Sequence, residues 1–118
     1  MNNKMNFSIE HRDGLVIFTI KSHTMDSLVS AQIKAEVLIV CQPDIKGLIF
    51  DLTEVEYVDS SGLGALLLAH RQLKETEAPV IFIGVQDMVK SMLSISQLEE
   101  LFEFYGTIDE AIATFAED

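Results

Sequence analysis

Asp51-Leu52-Thr53-Glu54-Val55-Glu56-Tyr57-Val58-Asp59-Ser60-Ser61-Gly62-Leu63-Gly64-Ala65-Leu66-Leu67-Leu68 joins an apolar strand to an apolar helix through a turn of carboxylate and hydroxyl side chains. Leu48 to Leu52 reads as the strand, because a nearly unbroken apolar run of this length suits the middle of a parallel sheet. The helix begins near Ser61 and places Leu63, Leu66, Leu67, His70 and Leu73 along one face. Between them lie Asp59, Ser60, Ser61 and Gly62. A helix start leaves backbone N–H groups without partners, and Asp or Ser side chains accept from them. Capping therefore accounts for the carboxylate and the hydroxyls. It does not account for Gly62 and Gly64, since each glycine weakens a helix by up to about 1 kcal/mol relative to alanine. Glycines suit a turn that another surface approaches closely.

Working outward, strands and helices alternate. Phe7 to His11 and Leu15 to Ile20 flank Arg12-Asp13-Gly14, a hairpin signal. Thr24 or Asp26 caps a helix whose expected apolar stripe is Leu28, Ala31, Ala35 and Leu38, and Pro43 prevents its extension. Val80 to Ile83 is a further buried strand. Asp87 caps a short helix with Met88, Met92, Leu93 and Ile95 expected inward, and a last edge strand falls near Leu101–Phe104. Thr107 and Glu110 form a capping box for a closing helix with Ala111, Ile112, Phe115 and Ala116 on its inner face. The order ββαβαβαβα predicts an α/β fold: a mixed sheet of about five strands with an N-terminal hairpin, and about four helices. With 118 residues, 48 % of them apolar, the chain is expected to be one domain, residues 1–118. Partner residues in such sheets gather beyond the C-terminal strand ends. Asp51, Asp59–Gly64, Ser22–Asp26 and Gly84–Asp87 all fall there.

Nineteen acidic residues against eight basic ones give a formal charge of −11. After Lys90 there is no Lys, Arg or His, while seven acids remain. Such a chain is unsuited to a phosphate backbone, so nucleic acid is excluded and a basic protein surface is the better partner. Cys41, the one cysteine, reads as a small buried hydrophobe. No apolar run approaches membrane-spanning length and no signal-peptide pattern is present, so a cytoplasmic protein without membrane insertion is expected.

Catalysis finds no support. Ser60 or Ser61 as a nucleophile needs a placed base. His11 lies by the hairpin turn, His70 about two helical turns beyond the serines, and only His23 falls at the same end. The chain has no His-x-x-x-His and no cysteine pair. Asp26, Asp51 and Asp59 can converge at one sheet end, but a metal site there has to be assumed rather than read. No phosphate-binding Gly-x-x-x-x-Gly-Lys loop is present, so no cofactor is expected, and an accessible serine marks the chain as a kinase substrate rather than a kinase. A phosphoryl group at this turn adds about −1.5 to −2 charge beside Asp59. A partner packed there would meet a dianion, so binding would be lost while the fold survives.

The run from Asp51 through Val58-Asp59-Ser60-Ser61-Gly62-Leu63-Gly64 closely resembles the signature of the STAS domain, and in particular of bacterial anti-sigma factor antagonists. The similarity in element order spans roughly Asn6 to Glu117. The resemblance implies a non-enzymatic module whose unmodified form binds an anti-sigma factor, a serine kinase of GHKL type, and frees the sigma factor. It further implies phosphorylation of the first motif serine, Ser60, reversed by a PP2C-type phosphatase. Asp59 and Asp26 match acidic residues beside that serine. Ser61, Gly62, Leu63, Gly64 and Leu66 are assigned to the partner contact. The segment Ser22-His23-Thr24-Met25-Asp26 departs from the Gly-x-Leu-Asp usual in such antagonists. That departure keeps open a second role, as a STAS subunit of a stress-signalling scaffold or of a lipid or anion transporter complex.

Overall fold

Asp13 and Gly14, at φ of 53° and 86°, put two consecutive residues in the left-handed region, which is what a two-residue hairpin turn demands. They join β1 (Phe7–Arg12) to β2 (Leu15–Ile20) in an antiparallel pair running from Phe7 opposite Ile20 to Arg12 opposite Leu15. The computed structural model describes residues 6–116. Met1–Met5, where a leader would be sought, and the final residues 117–118 of the expected domain lie outside the described residues. The elements after the hairpin are β3 (Thr24–Met25), α1 (Ser27–Val40), β4 (Gly47–Asp51), β5 (Tyr57–Val58) and α2 (Ser60–Leu73). There follow β6 (Val80–Ile83), α3 (Asp87–Ile95), a 3₁₀ turn (Glu99–Leu101), β7 (Glu103–Tyr105) and α4 (Ile108–Ala113).

The main sheet has five strands in the order β1-β2-β4-β6-β7, parallel except for β1. This is the expected mixed sheet and hairpin, with four helices in the expected order. The edge strand lies at Glu103–Tyr105, two residues later than its expected start, because the 3₁₀ turn takes up Glu99–Leu101. Two short strands, β3 and β5, are additional; they pair with each other and stand apart from the main sheet.

The continuous apolar runs divide between two faces by simple alternation. Val16, Phe18, Ile20, Leu48, Phe50, Val80 and Phe82 pack beneath α1, α2 and α3, while Leu15, Ile17, Ile49, Ile81 and Ile83 pack beneath α4. One phenylalanine per strand builds a ladder across the first face. Phe7, Phe18, Phe50, Phe82 and Phe104 stand ring to ring at centroid distances of 5.3, 5.3, 5.8 and 5.6 Å. Phe102 stacks on Phe82 at 4.3 Å and carries the contact on to His70 of α2. Ring pairs at such distances add about 0.5–1.5 kcal/mol each beyond burial.

The helix faces differ from expectation in three places. The buried side of α1 is Val29, Ser30, Ile33, Val37 and Val40, whereas Leu28, Ala31, Ala35 and Leu38 lie on the exposed side. Two apolar stripes run along this helix, and the β-branched one meets the sheet. In α3, Val89 and Leu93 are buried while Met88 and Ile95 face out. Gln86 occupies the cap position there without a side-chain bond, and Asp87 is the first helical residue. In α4 the Thr107 hydroxyl accepts from Glu110 N as expected, but the Glu110 carboxylate reaches back to Gly106 N, and Ala116 is exposed past the helix end. Cys41 closes α1 as a buried free thiol, and burial pushes its pKa up to about 11, which leaves it unreactive at neutral pH.

Phe82 holds the centre of the ladder, so Phe82→Ala should destabilise the fold by about 3–5 kcal/mol. The urea unfolding midpoint measures this; a change below about 1 kcal/mol would mean the ladder contributes little beyond filling space.

Candidate functional site

The segments leading into α1 and α2 run side by side. Thr24 and Met25 of β3 pair in parallel with Tyr57 and Val58 of β5. His23 O accepts from Glu56 N at 2.7 Å and Tyr57 N at 3.2 Å, and Met25 O accepts from Asp59 N at 3.2 Å. Each segment then delivers an aspartate as N-cap with nearly the same backbone: Asp26 at φ −90°, ψ −173° and Asp59 at φ −84°, ψ −175°. Asp26 Oδ1 accepts from Val29 N, and Asp59 Oδ1 from Gly62 N, both at 3.0 Å. Of the two expected caps for α1, Asp26 is the one used. The sequence carries this duplication openly, as Thr24-Met25-Asp26-Ser27 and Tyr57-Val58-Asp59-Ser60, but the pairing of two-residue strands is too local to announce itself.

The two motif serines have different environments. Ser61 Oγ donates to Asp59 Oδ1 at 2.6 Å and is half-buried. Ser60 is the first helical residue and exposed, and its hydroxyl takes part in no hydrogen bond among the described residues. The bonds from the Ser61 hydroxyl and the Gly62 amide hold the Asp59 carboxyl below its ordinary value. Asp59 is thus ionised and already occupied by its own helix.

The glycines also part company. A Cβ on Gly62 would lie 2.5 Å from Val58 Cγ1 and 2.8 Å from Met25 O. The surface that approaches Gly62 is therefore the β3–β5 pair of this chain, and Gly62 is buried rather than open to a partner. At Gly64 the same position meets only Lys34, with Nζ at 3.6 Å. Leu63 is half-buried, whereas Leu66 is fully buried in the core beneath α2. Leu66 thus supports the helix from behind and is withdrawn from the contact surface assigned to it. Tyr57, which sequence reasoning passed over, and Met88, which it placed inward, are exposed apolar side chains on β5 and α3, elements that pack together. An alternating strand or an amphipathic helix does not reveal which of its apolar residues stays uncovered.

Asp51 takes no part in this cluster, since its carboxylate accepts from Thr53 N at 3.0 Å and Thr53 Oγ1 at 2.6 Å. Among the described residues no three His, Cys, Asp or Glu side chains come together as a metal site. His23 is bonded to Glu56 at 3.0 Å, and His70 faces the Phe102 ring. The sheet order advances in one direction, so there is no reversal of strand order to open a crevice. A 390 Å³ cavity lined by His11, Gly14, Ile39 and Ile45 lies beside the hairpin turn, at the opposite end of the strands. No helix among the described residues is long and apolar enough to cross a membrane.

The STAS domain family model matches residues 6–111. The chain belongs to the STAS domain family. This STAS domain is 32% identical over 103 residues to an anti-sigma-B factor antagonist of Listeria monocytogenes, covering 84% of this chain and 89% of that one. Its fold matches the anti-sigma factor antagonist SpoIIAA in its unphosphorylated form, with TM-score 0.80, 22% identity and coverage of 92% and 94%. It also matches the Bacillus cell fate determinant SpoIIAA in the phosphorylated form, with TM-score 0.75, 21% identity and coverage of 93% and 99%. The STAS fold is a regulatory, non-catalytic domain, and this one is related to anti-sigma factor antagonists.

Two outcomes follow from the geometry. Gly62→Ala should destabilise by about 1–3 kcal/mol through overpacking, while Gly64→Ala should be neutral or stabilise by up to about 1 kcal/mol; chemical denaturation of the two variants compares them directly. Asp59 has a folded pKa below its unfolded value, so its charge stabilises the fold above pH 3.8 and that contribution fades as pH falls below 3.8. Asn caps a helix as well as Asp does. Asp59→Asn should therefore be less stable than wild type at neutral pH, with the gap closing on acidification; a gap constant with pH would contradict this.

Proposed function

We propose that this STAS domain is an anti-sigma factor antagonist switched by phosphorylation of Ser60. The unmodified form binds an anti-sigma factor serine kinase of GHKL type and releases the sigma factor; phosphorylation ends the binding, and a PP2C-type phosphatase restores it. One observation carries the reading: Ser60 presents an exposed hydroxyl at the head of α2 with no hydrogen bond among the described residues, while Ser61 is tied to Asp59. The similarity to the Listeria antagonist supports it.

In the transfer, Ser60 Oγ attacks the γ-phosphorus of ATP held by the kinase. The Oγ–P bond forms as the bond to the ADP oxygen breaks, and the hydroxyl proton leaves to a base on the kinase. The backbone of α2 need not move, because Asp59 and not Ser60 caps it. The partner face includes Ser60, Leu63 and Gly64, with Tyr57 and Met88 as apolar neighbours, and Asp26 and Asp59 behind. Against that face a phosphate is a desolvated like charge, and the cost falls on binding rather than folding. The departure at Ser22–Asp26 leaves the site intact: Met25 is fully buried and Asp26 still caps α1.

Ser60→Asp should weaken kinase binding about thirtyfold or more with an unchanged circular dichroism spectrum. Ser60→Ala should bind but take up no phosphate, whereas Ser61→Ala should still be phosphorylated. Peptide-mapping mass spectrometry of the protein recovered with its bound partners from its native bacterium tests the whole scheme. Phosphate on Ser60 in one fraction and a GHKL-type kinase bound to the other would support it. An unmodified protein bound to scaffold or transporter subunits would favour the second role instead.

A further inference from the structure

We propose that Lys34 is an internal latch for the phosphorylated site, drawing a phosphate on Ser60 across from α2 onto α1. The inference rests on the reading of Ser60 as phosphoacceptor and adds the group that receives the phosphate. Helix side chains lean toward the N-terminus of their own helix. In α1 that direction leads back to the paired N-caps Asp26 and Asp59, where Ser60 stands. Lys34 Nζ lies 3.6 Å from where a Cβ on Gly64 would be, so its ammonium rests on the first turns of α2. Ser60 and Gly64 are four residues apart in that helix, on one face, with Cβ positions about 5–6 Å from each other. A flexible lysine that touches the one position is within reach of a phosphate on the other.

The site needs such a cation. A phosphate at a helix start ordinarily takes the free backbone amides, but here Asp59 Oδ1 already holds Gly62 N. The new dianion enters a chain of formal charge −11 beside two capping carboxylates. Of the other described cations, Arg12 pairs with Glu10, Lys46 lies against Gly14 at the hairpin turn, Lys90 approaches Glu99, and Arg71 and Lys74 sit at the far end of α2, while Lys21 follows β2 on the segment that leads into β3. Lys34 makes no ion pair among the described residues. Gly64 keeps the path clear. The phosphate then bridges the two helices and covers Gly64, which is part of the partner face, so repulsion and obstruction act together.

The test uses the full chain with phosphoserine installed at position 60 during synthesis by the cell, so that no kinase is required. Titrating the phosphate by ³¹P NMR reports its second ionisation, near pH 6 when unperturbed. A neighbouring ammonium favours the dianion and lowers that value. K34Q should raise it by roughly 0.2–0.7 of a unit relative to wild type, the span of an exposed ion pair. K34R should restore it, and 1 M NaCl should shrink the difference. Amide NMR spectra confirm that each variant is folded; Lys34 is half-exposed and outside the core. Identical titrations for wild type and K34Q, or a K34R protein that follows K34Q, would overturn the latch. Failure of the switch itself has a separate sign, the absence of Ser60 phosphate in cells, which leaves the titration result standing.

Discussion

Two residues of parallel backbone pairing, Thr24–Met25 against Tyr57–Val58, hold the functional end of this domain together. Without that pair the starts of α1 and α2 would be two independent loops at the edge of the sheet. With it, Met25 O binds Asp59 N, and the two capping aspartates leave the bridge at equivalent points. Gly62 is the residue that permits this, because its missing side chain leaves room for Met25 and Val58. The motif is therefore structural first. Its glycine closes the helix onto the bridge and its aspartate caps the helix. Ser60 has neither duty, and its side chain is exposed.

That division of labour explains how a chemical change can be confined. A serine serving as N-cap would lose its bond to the helix on phosphorylation, and the fold would be disturbed along with the surface. Here the cap is a carboxylate one residue earlier, already ionised. The sheet lies further away still, separated from Ser60 by the fully buried Ala65, Leu66 and Ala69. Charge delivered to the first turn acts on what lies outside it.

Most of the architecture was legible in the sequence because it depends on long, repeated signals. The Asp13-Gly14 turn, the runs at Leu48–Leu52 and Val80–Ile83, Pro43 after α1 and the Thr107–Glu110 capping box carry the order of strands and helices. The turn that opens α2 was legible as a compact motif, in which Asp59 caps the helix and Gly62 closes it onto the bridge. What could not be read were choices between equivalent alternatives. Helix α1 has two apolar stripes, and periodicity gives no reason to bury Val29, Ile33 and Val37 rather than Leu28, Ala35 and Leu38. Leu66 sits among three leucines, and only the helix rotation fixed by Gly62 shows which of them turns inward. The contact between Lys34 and Gly64 joins residues thirty positions apart, and no local pattern encodes it.

The phenylalanine ladder bears on how this fold can change over time. Its rings face one another only while all five strands keep their register. Adding or deleting a single residue within any strand would turn that strand's ring to the opposite side and break the ladder at that rung. Length variation is thereby pushed into the connections. The connection at Lys21-Ser22, which carries no rung and precedes the bridge, is one place where descendants of this chain can acquire new recognition properties while the aromatic spine stays as it is.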